Sequence, residues 1–334
     1  MSKSYKKICK NIQENPFVFK LSYEDAKGIL EDPNVPQDIK DNIIDRRDQL
    51  PTTNEKVINY MKNKEDRLKL QDEFESLGGF VFTIYKRLDS LYDNNTLTIE
   101  DKSKILLLAT YMGYDNKVKY KNNIPILKQQ LGLILRIGDR ATRNFLNKVT
   151  ELGIVKINED KEVILNNNLF VKGNSQNIKI DSKDFGYIRV FVNSYQYLYE
   201  NIPTRKLKYL GIIYNILGYV NFYHNVIVKN NPEEKDISKV EPMTLREMLT
   251  ICGYKEDMSP STESGIKKIL LNIKLKNNMP LFAIVHTDNK TKILINPHVT
   301  YASSNINTWN STLELIFKNC NWLNYKDKEW RIEI

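Results

Sequence analysis

Between Gly138 and Asn166 the apolar residues change their period from 3.6 to 2. The stretch "GDRATRNFLNKVTELG" runs directly into "IVKINEDKEVIL". At 100° per residue, Ala141, Phe145, Val149 and Leu152 of the first segment fall on one side of a helix. Arg140, Arg143, Asn144 and Asn147 fall on the other, spaced i, i+3, i+4, i+7. The second segment then alternates as two strands, Ile154–Asn158 and Glu162–Asn166, joined by a polar tip. A helix with one apolar side and one side of hydrogen-bond donors, followed at once by a hairpin, is a narrow constraint on the fold.

The residues upstream narrow it further. "TIEDKSKILLLATYMG" predicts a strongly apolar helix capped near Thr98, "KVKY" a short strand, and "PILKQQLGL" a helix whose first turn holds Pro125, where proline is best tolerated. Helix, strand, helix, turn, helix, hairpin is the order of a winged-helix domain, a form of helix-turn-helix. The order recurs in "TRKLKYLGIIYNILGYV", "NFYHNVIVKN", "MTLREMLTICGY", "SPSTESGIKKILLNIKLKN" and "LFAIVHTDNKTKILINP", with Asp288, Asn289 and Lys290 at the second tip. The two hairpins leave through similar residues, "VILNNNLF" and "ILINPHVT", which puts Asn166 and Asn296 in equivalent places and points to an internal duplication. The expected fold is mainly α with small β-hairpins, of the α+β class: tandem winged-helix domains at 80–175 and 176–301 after an N-terminal helical region at 1–79. Within that region Ser22 is a candidate helix cap. A long helix over 53–77, stopped by Gly78 and Gly79, reads as a partner or linker helix. The tail, 302–334, carries Trp309, Trp322 and Trp330 and is expected to pack on the body.

The length of 334 residues fits two or three domains, and a formal net charge of +9 favours an anionic partner. No apolar run reaches the ~20 residues that cross a bilayer. The first residues lack the apolar core of a secretory signal. Cys9, Cys252 and Cys320 read as free thiols in a reducing cytoplasm. Catalytic and metal motifs are missing: no Cys-x-x-Cys, no His-x-His, no Gly-x-Ser-x-Gly, and "GLILRIGDR" lacks the spacing of a phosphate loop. Tyr195, Tyr197 and Tyr199 fit a strand or a helix and read as core or interface. The expectation is a protein without catalysis, cofactor or metal.

The donor face of 139–152 suits base reading, because arginine pairs with guanine O6 and N7 and asparagine with adenine N6 and N7. Lys148 beside it, and Lys156 and Lys161 on the hairpin, are candidate phosphate contacts. Glu159, Asp160 and Glu162 make the hairpin tip acidic and count against it. In the second unit Ser264, Lys267 and Lys268 are expected outward, with lysines suited to phosphate. The stretch from "YKNNIPILKQQ" to "NNNLFVKG" resembles winged-helix replication proteins of plasmids and phages from low-GC Gram-positive bacteria, with a looser likeness from Tyr187 to Tyr301. The resemblance implies recognition-helix roles for Arg140, Thr142, Arg143, Asn144 and Asn147, and binding to origin repeats in double-stranded DNA. A homodimer, or host or phage replication proteins, are the further partners compatible with it. A phage transcriptional regulator, or an interaction module without DNA binding, are the competing readings.

Overall fold

The computed structural model describes residues 31–37, 40–41, 65–85, 97–120, 122–173, 186–236, 238–287, 291–303, 309–310, 312, 317 and 330–333. The chain divides into two compact units, Met1–Asp66 and Arg67–Ile334. In the first, Asp32 accepts hydrogen bonds from the backbone and side chain of Asn34, and Val35 is buried. Ser22 and the upstream part of the long N-terminal helix lie outside the described residues.

The second unit is a mixed α/β body with small antiparallel sheets. It opens inside the helix over 65–76, ahead of the boundary expected at Gly79, because Leu70 and Phe74 of that helix are buried against Phe191 and Trp309. The face expected to meet a partner is therefore partly core. Gly78 and Gly79 stop the helix at φ 78° and 71°, a left-handed conformation that glycine adopts at least cost.

In chain order the elements of the first half are β1 (Phe80–Ile84), α1 (Ile99–Thr110), α2 (Leu131–Leu135), α3 (Asp139–Glu151), β2 (Val155–Ile157), β3 (Val163–Leu165) and β4 (Phe170–Val171). The second half holds β5 (Tyr187–Phe191), α4 (Val192–Asn201), a 3-10 helix (Thr204–Leu210), α5 (Gly211–Ile216), α6 (Leu245–Ile251), α7 (Pro260–Leu271), β6 (Phe282–Thr287), β7 (Thr291–Ile295) and β8 (Thr300–Tyr301), and the tail adds β9 (Trp330–Glu333). Each half sends its first and last strands into one sheet of order β4-β1-β5-β8. Phe82 lies opposite Val171, and Arg189 lies opposite Tyr301, so Phe82 and Arg189 occupy equivalent places. They also face each other across the antiparallel β1–β5 pair. The sheet thus carries a pseudo-two-fold axis through the Phe82–Arg189 pair.

The likeness of the two halves extends to single hydrogen bonds. Asn166 donates through its backbone to the carbonyl of Ile154, through Nδ2 to that of Gly153, and accepts at Oδ1 from the amide of Asn168. Asn296 repeats all three with Leu281, Pro280 and His298. Asn116 and Asn225, both left-handed, each hold the end of a hairpin strand by accepting from Leu165 and Ile295. Helix α6 begins at a capping box in which Thr244 and Glu247 satisfy each other's backbone amides, and Leu127–Gln130 keeps half of that device ahead of α2.

Both halves share one apolar core, in which α1 packs on α5. Arg189, on the axis, is wedged with its guanidinium carbon 5.2, 5.3 and 5.4 Å from the ring centres of Phe74, Phe80 and Phe82, and donates to the carbonyls of Ala302 and Ser303. Burial lowers its pKa, and the carbonyls and ring faces stand in for a carboxylate. Tyr195 and Tyr199 lie on α4, where their buried hydroxyls donate to the carbonyls of Ser103 and Leu135. Cys252 sits at the end of α6, and burial pushes its thiol up to about 12. Native protein treated with a thiol reagent near neutral pH should therefore label Cys252 only as fast as the fold opens. Peptide mapping that found it labelled at the rate of an unfolded control would contradict this burial.

Candidate nucleic-acid interface

Helix α3 is placed by the elements beneath it. Phe145, Leu146 and Val149 enter the core, while Leu152 is half-buried. Two expectations need correction. Ala141 is exposed and Thr142 is buried, with its hydroxyl donating to the Gly138 carbonyl at 3.1 Å. The apolar stripe is rotated by about one residue because Leu146, a better filler than Ala141, takes the inner position. Thr142 is thereby withdrawn from any external partner.

Arg140, Arg143, Asn144 and Asn147 are exposed together along the outer side. None is bonded to another described residue. Lys148 is different: its ammonium lies 3.0 Å from Asp101, on α1. It anchors α3 to the core instead of flanking the donor face. Burial disfavours the Asp101 carboxylate, but bonds from Lys148 and Thr98 and the charge of Lys104 outweigh it and hold the group below its ordinary value of 3.8. A depressed carboxylate adds stability above its unfolded pKa, which is lost as pH falls through the folded value. Asp101→Asn should therefore lower the melting temperature near neutrality, with the gap to wild type closing below pH 3.8. Thermal melts across that range check it, and a gap that widened in acid would contradict the pairing.

The first hairpin presents Lys156 outward, and its tip places Lys161 in a left-handed turn at φ 64°, exposed. Of the three tip acids, Glu162 is bound by Lys117 at 2.6 Å, which with Asn158 lowers its pKa. Glu159 and Asp160 remain exposed, so the tip keeps its acidic character. Lys128, which the sequence did not single out, is exposed beside this tip: its amide donates to the Lys161 carbonyl at 2.8 Å.

The second unit offers less. Aligning the helix caps Gly138 and Ser259 matches Arg140, Arg143, Asn144 and Asn147 to Ser261, Ser264, Gly265 and Lys268, all exposed. Lys267 matches Leu146 and is half-buried on the inner flank, not outward as expected. The second hairpin is also covered. Ala283, at the place of Lys156, is fully buried with Val285 and Leu294 against Trp309 and Phe317, and β9 closes the edge of β6. The expected tip, Asp288–Lys290, lies outside the described residues. The halves therefore share a frame but not a surface.

Among the described residues no cluster of side chains could hold a metal ion, and no helix is long and apolar enough to cross a membrane. Compared with known proteins, the chain matches no family model, no curated protein and no solved structure.

Proposed function

We propose that this chain is a sequence-specific double-stranded DNA-binding protein of tandem winged-helix type, acting without catalysis, as a plasmid or phage replication initiator does. The observation that carries the reading is the row Arg140, Arg143, Asn144 and Asn147, exposed and unengaged on α3 among the described residues. Here four multi-donor groups stand on one side of a helix that is preceded by a helix and a turn and followed by a hairpin. That is the placement in which a helix enters the major groove. The net charge of +9 supplies the non-specific attraction.

The test is selection of duplexes from a random library by the full-length protein, followed by titration in salt. A preferred motif should emerge, and log K should fall with log salt with a slope of roughly −5 to −9, as for six to ten phosphate contacts. Direct repeats of that motif beside the protein's own gene would favour initiation; a single copy in a divergent promoter would favour transcriptional control. Absence of any preferred duplex would leave the interaction module as the better reading.

A further inference from the structure

The 3-10 helix Thr204–Leu210 has three residues per turn, so side chains at i and i+3 eclipse. Leu207 and Leu210 form one edge and are fully buried. Arg205 and Lys208 form a second edge and are exposed. Neither is paired with an acid among the described residues, although Lys208 also lies 5.3 Å from the centre of the Tyr209 ring.

This basic edge is tied to both halves. Arg136, two residues ahead of the α3 cap, donates through Nη1 to the carbonyls of Tyr199, Glu200 and Ile202 at 2.8, 3.2 and 3.0 Å, and through Nη2 to the Thr204 hydroxyl at 3.3 Å. Its charge suits the carbonyl end of α4 and brings a third cation to the corner. On the other side Lys206 lines a small cavity of about 140 Å3 with Ile269 and Asn272 at the end of α7. The segment therefore spans from the start of α3 to the end of α7. Acids near this corner include Glu200, which accepts from the Tyr111 hydroxyl at 3.5 Å, Glu100, whose charge adds to burial in raising the Tyr199 pKa and which pairs with Lys104 at 3.0 Å, and Asp139 in the first turn of α3.

We infer that Arg205 and Lys208 form a phosphate-contacting ridge that continues the α3 interface toward the second half. The inference rests on the DNA-binding reading above. Charged groups that track a backbone and carry no base information should change affinity for all sequences alike. Each lost contact should flatten the log–log salt slope by about 0.9, so the double variant should lose about 1.8. The buried Leu207 and Leu210 are untouched, so Arg205→Gln with Lys208→Gln should melt as wild type.

The experiment uses full-length wild type, this double variant, Lys239→Gln as an exposed lysine outside the ridge, and Arg143→Ala. Each is titrated with the selected duplex and an unrelated duplex at several salt concentrations. The expected result is that the ridge variant weakens both duplexes by the same factor with the flatter slope, that Lys239→Gln changes neither, and that Arg143→Ala alone erodes the preference. Wild-type affinity and slope in the ridge variant, with wild type still selecting its duplex, would overturn the ridge and leave the reading of α3 intact. Failure of wild type to bind any duplex would overturn both. A drop no larger than twice that of Lys239→Gln, since the ridge variant loses two charges and the control one, would reduce the effect to net charge and also overturn it.

Discussion

Arg143→Ala combined with Asn147→Ala should abolish the preference for a selected duplex while leaving non-specific binding largely in place. A good bidentate pair with the correct base is worth about 1–3 kcal/mol of discrimination, and two pairs on one helix face would account for roughly 30-fold to 10⁴-fold in preference. Both side chains are exposed, and the core is held from the opposite side by Phe145, Leu146 and Val149. Neither truncation therefore empties a cavity, and the double variant should melt within about 0.5 kcal/mol of wild type, as surface substitutions usually do. Competition titrations with selected and unrelated duplexes read the ratio directly. If the double variant still selects the same motif, α3 is not the reading helix.

The two halves are alike in frame and unlike in the surfaces they expose, and the difference has a physical source. A pseudo-two-fold sheet places the pair α3 and α7 in related positions, but α7 shows small side chains and one lysine where α3 shows two arginines and two asparagines. The second hairpin has given its outer face to Trp309 and Phe317 and its edge to β9. Burying that face stabilises the body and at the same time leaves the second hairpin without the exposed face that the first one keeps. A monomer built this way would recognise one half-site by its bases and steady the other by charge. Its site should then be asymmetric in sequence although the protein is nearly symmetric in fold.

Much of this frame was legible from residues alone. The period change at Gly153 located α3 and the first hairpin, and the two exits containing Asn166 and Asn296 pointed to the matching bonds those residues make. Asparagine there is not replaceable by an arbitrary polar residue, since its side chain supplies both a donor and an acceptor for two of the three bonds. What stayed hidden was the outcome of competition between neighbours. Helical spacing allowed either Ala141 or Leu146 to lie inward, and volume decided. Lys148 looked like a free cation until α1 brought Asp101 within 3.0 Å, across 47 residues of sequence. The joint sheet was illegible because β4 and β8 are two residues long, far below any periodic signal. Arg205 and Lys208 fell inside a segment read only as the start of an apolar helix, and a period of three is too close to 3.6 to separate over seven residues.

Two glycine-to-alanine changes should shift stability in opposite directions. Alanine is better than glycine inside a helix by about 0.8–1.0 kcal/mol, so both would be favourable in isolation. Gly265 lies within α7 with no atom within 4 Å of the position a Cβ would take, so Gly265→Ala should stabilise by nearly that amount. Gly211 opens α5 where it crosses α1, and a Cβ there would stand 1.8 Å from the carbonyl oxygen of Ile99. That oxygen belongs to the backbone at the start of α1, which the Thr98–Asp101 capping box holds in place, so it cannot swing aside as a flexible side chain would. Overpacking of this kind costs about 1–3 kcal/mol and occasionally more, which outweighs the helix preference. The contact joins the two halves, so relief requires α1 and α5 to separate. Gly211→Ala should therefore lower the melting temperature by several degrees, whereas Gly265→Ala raises it by a few, at about 2–4 °C per kcal/mol for a body of this size. Denaturant titrations of the two variants beside wild type measure the signs. Equal stabilisation by both would mean that α1 and α5 do not cross at Gly211, and the shared core between the halves would have to be abandoned.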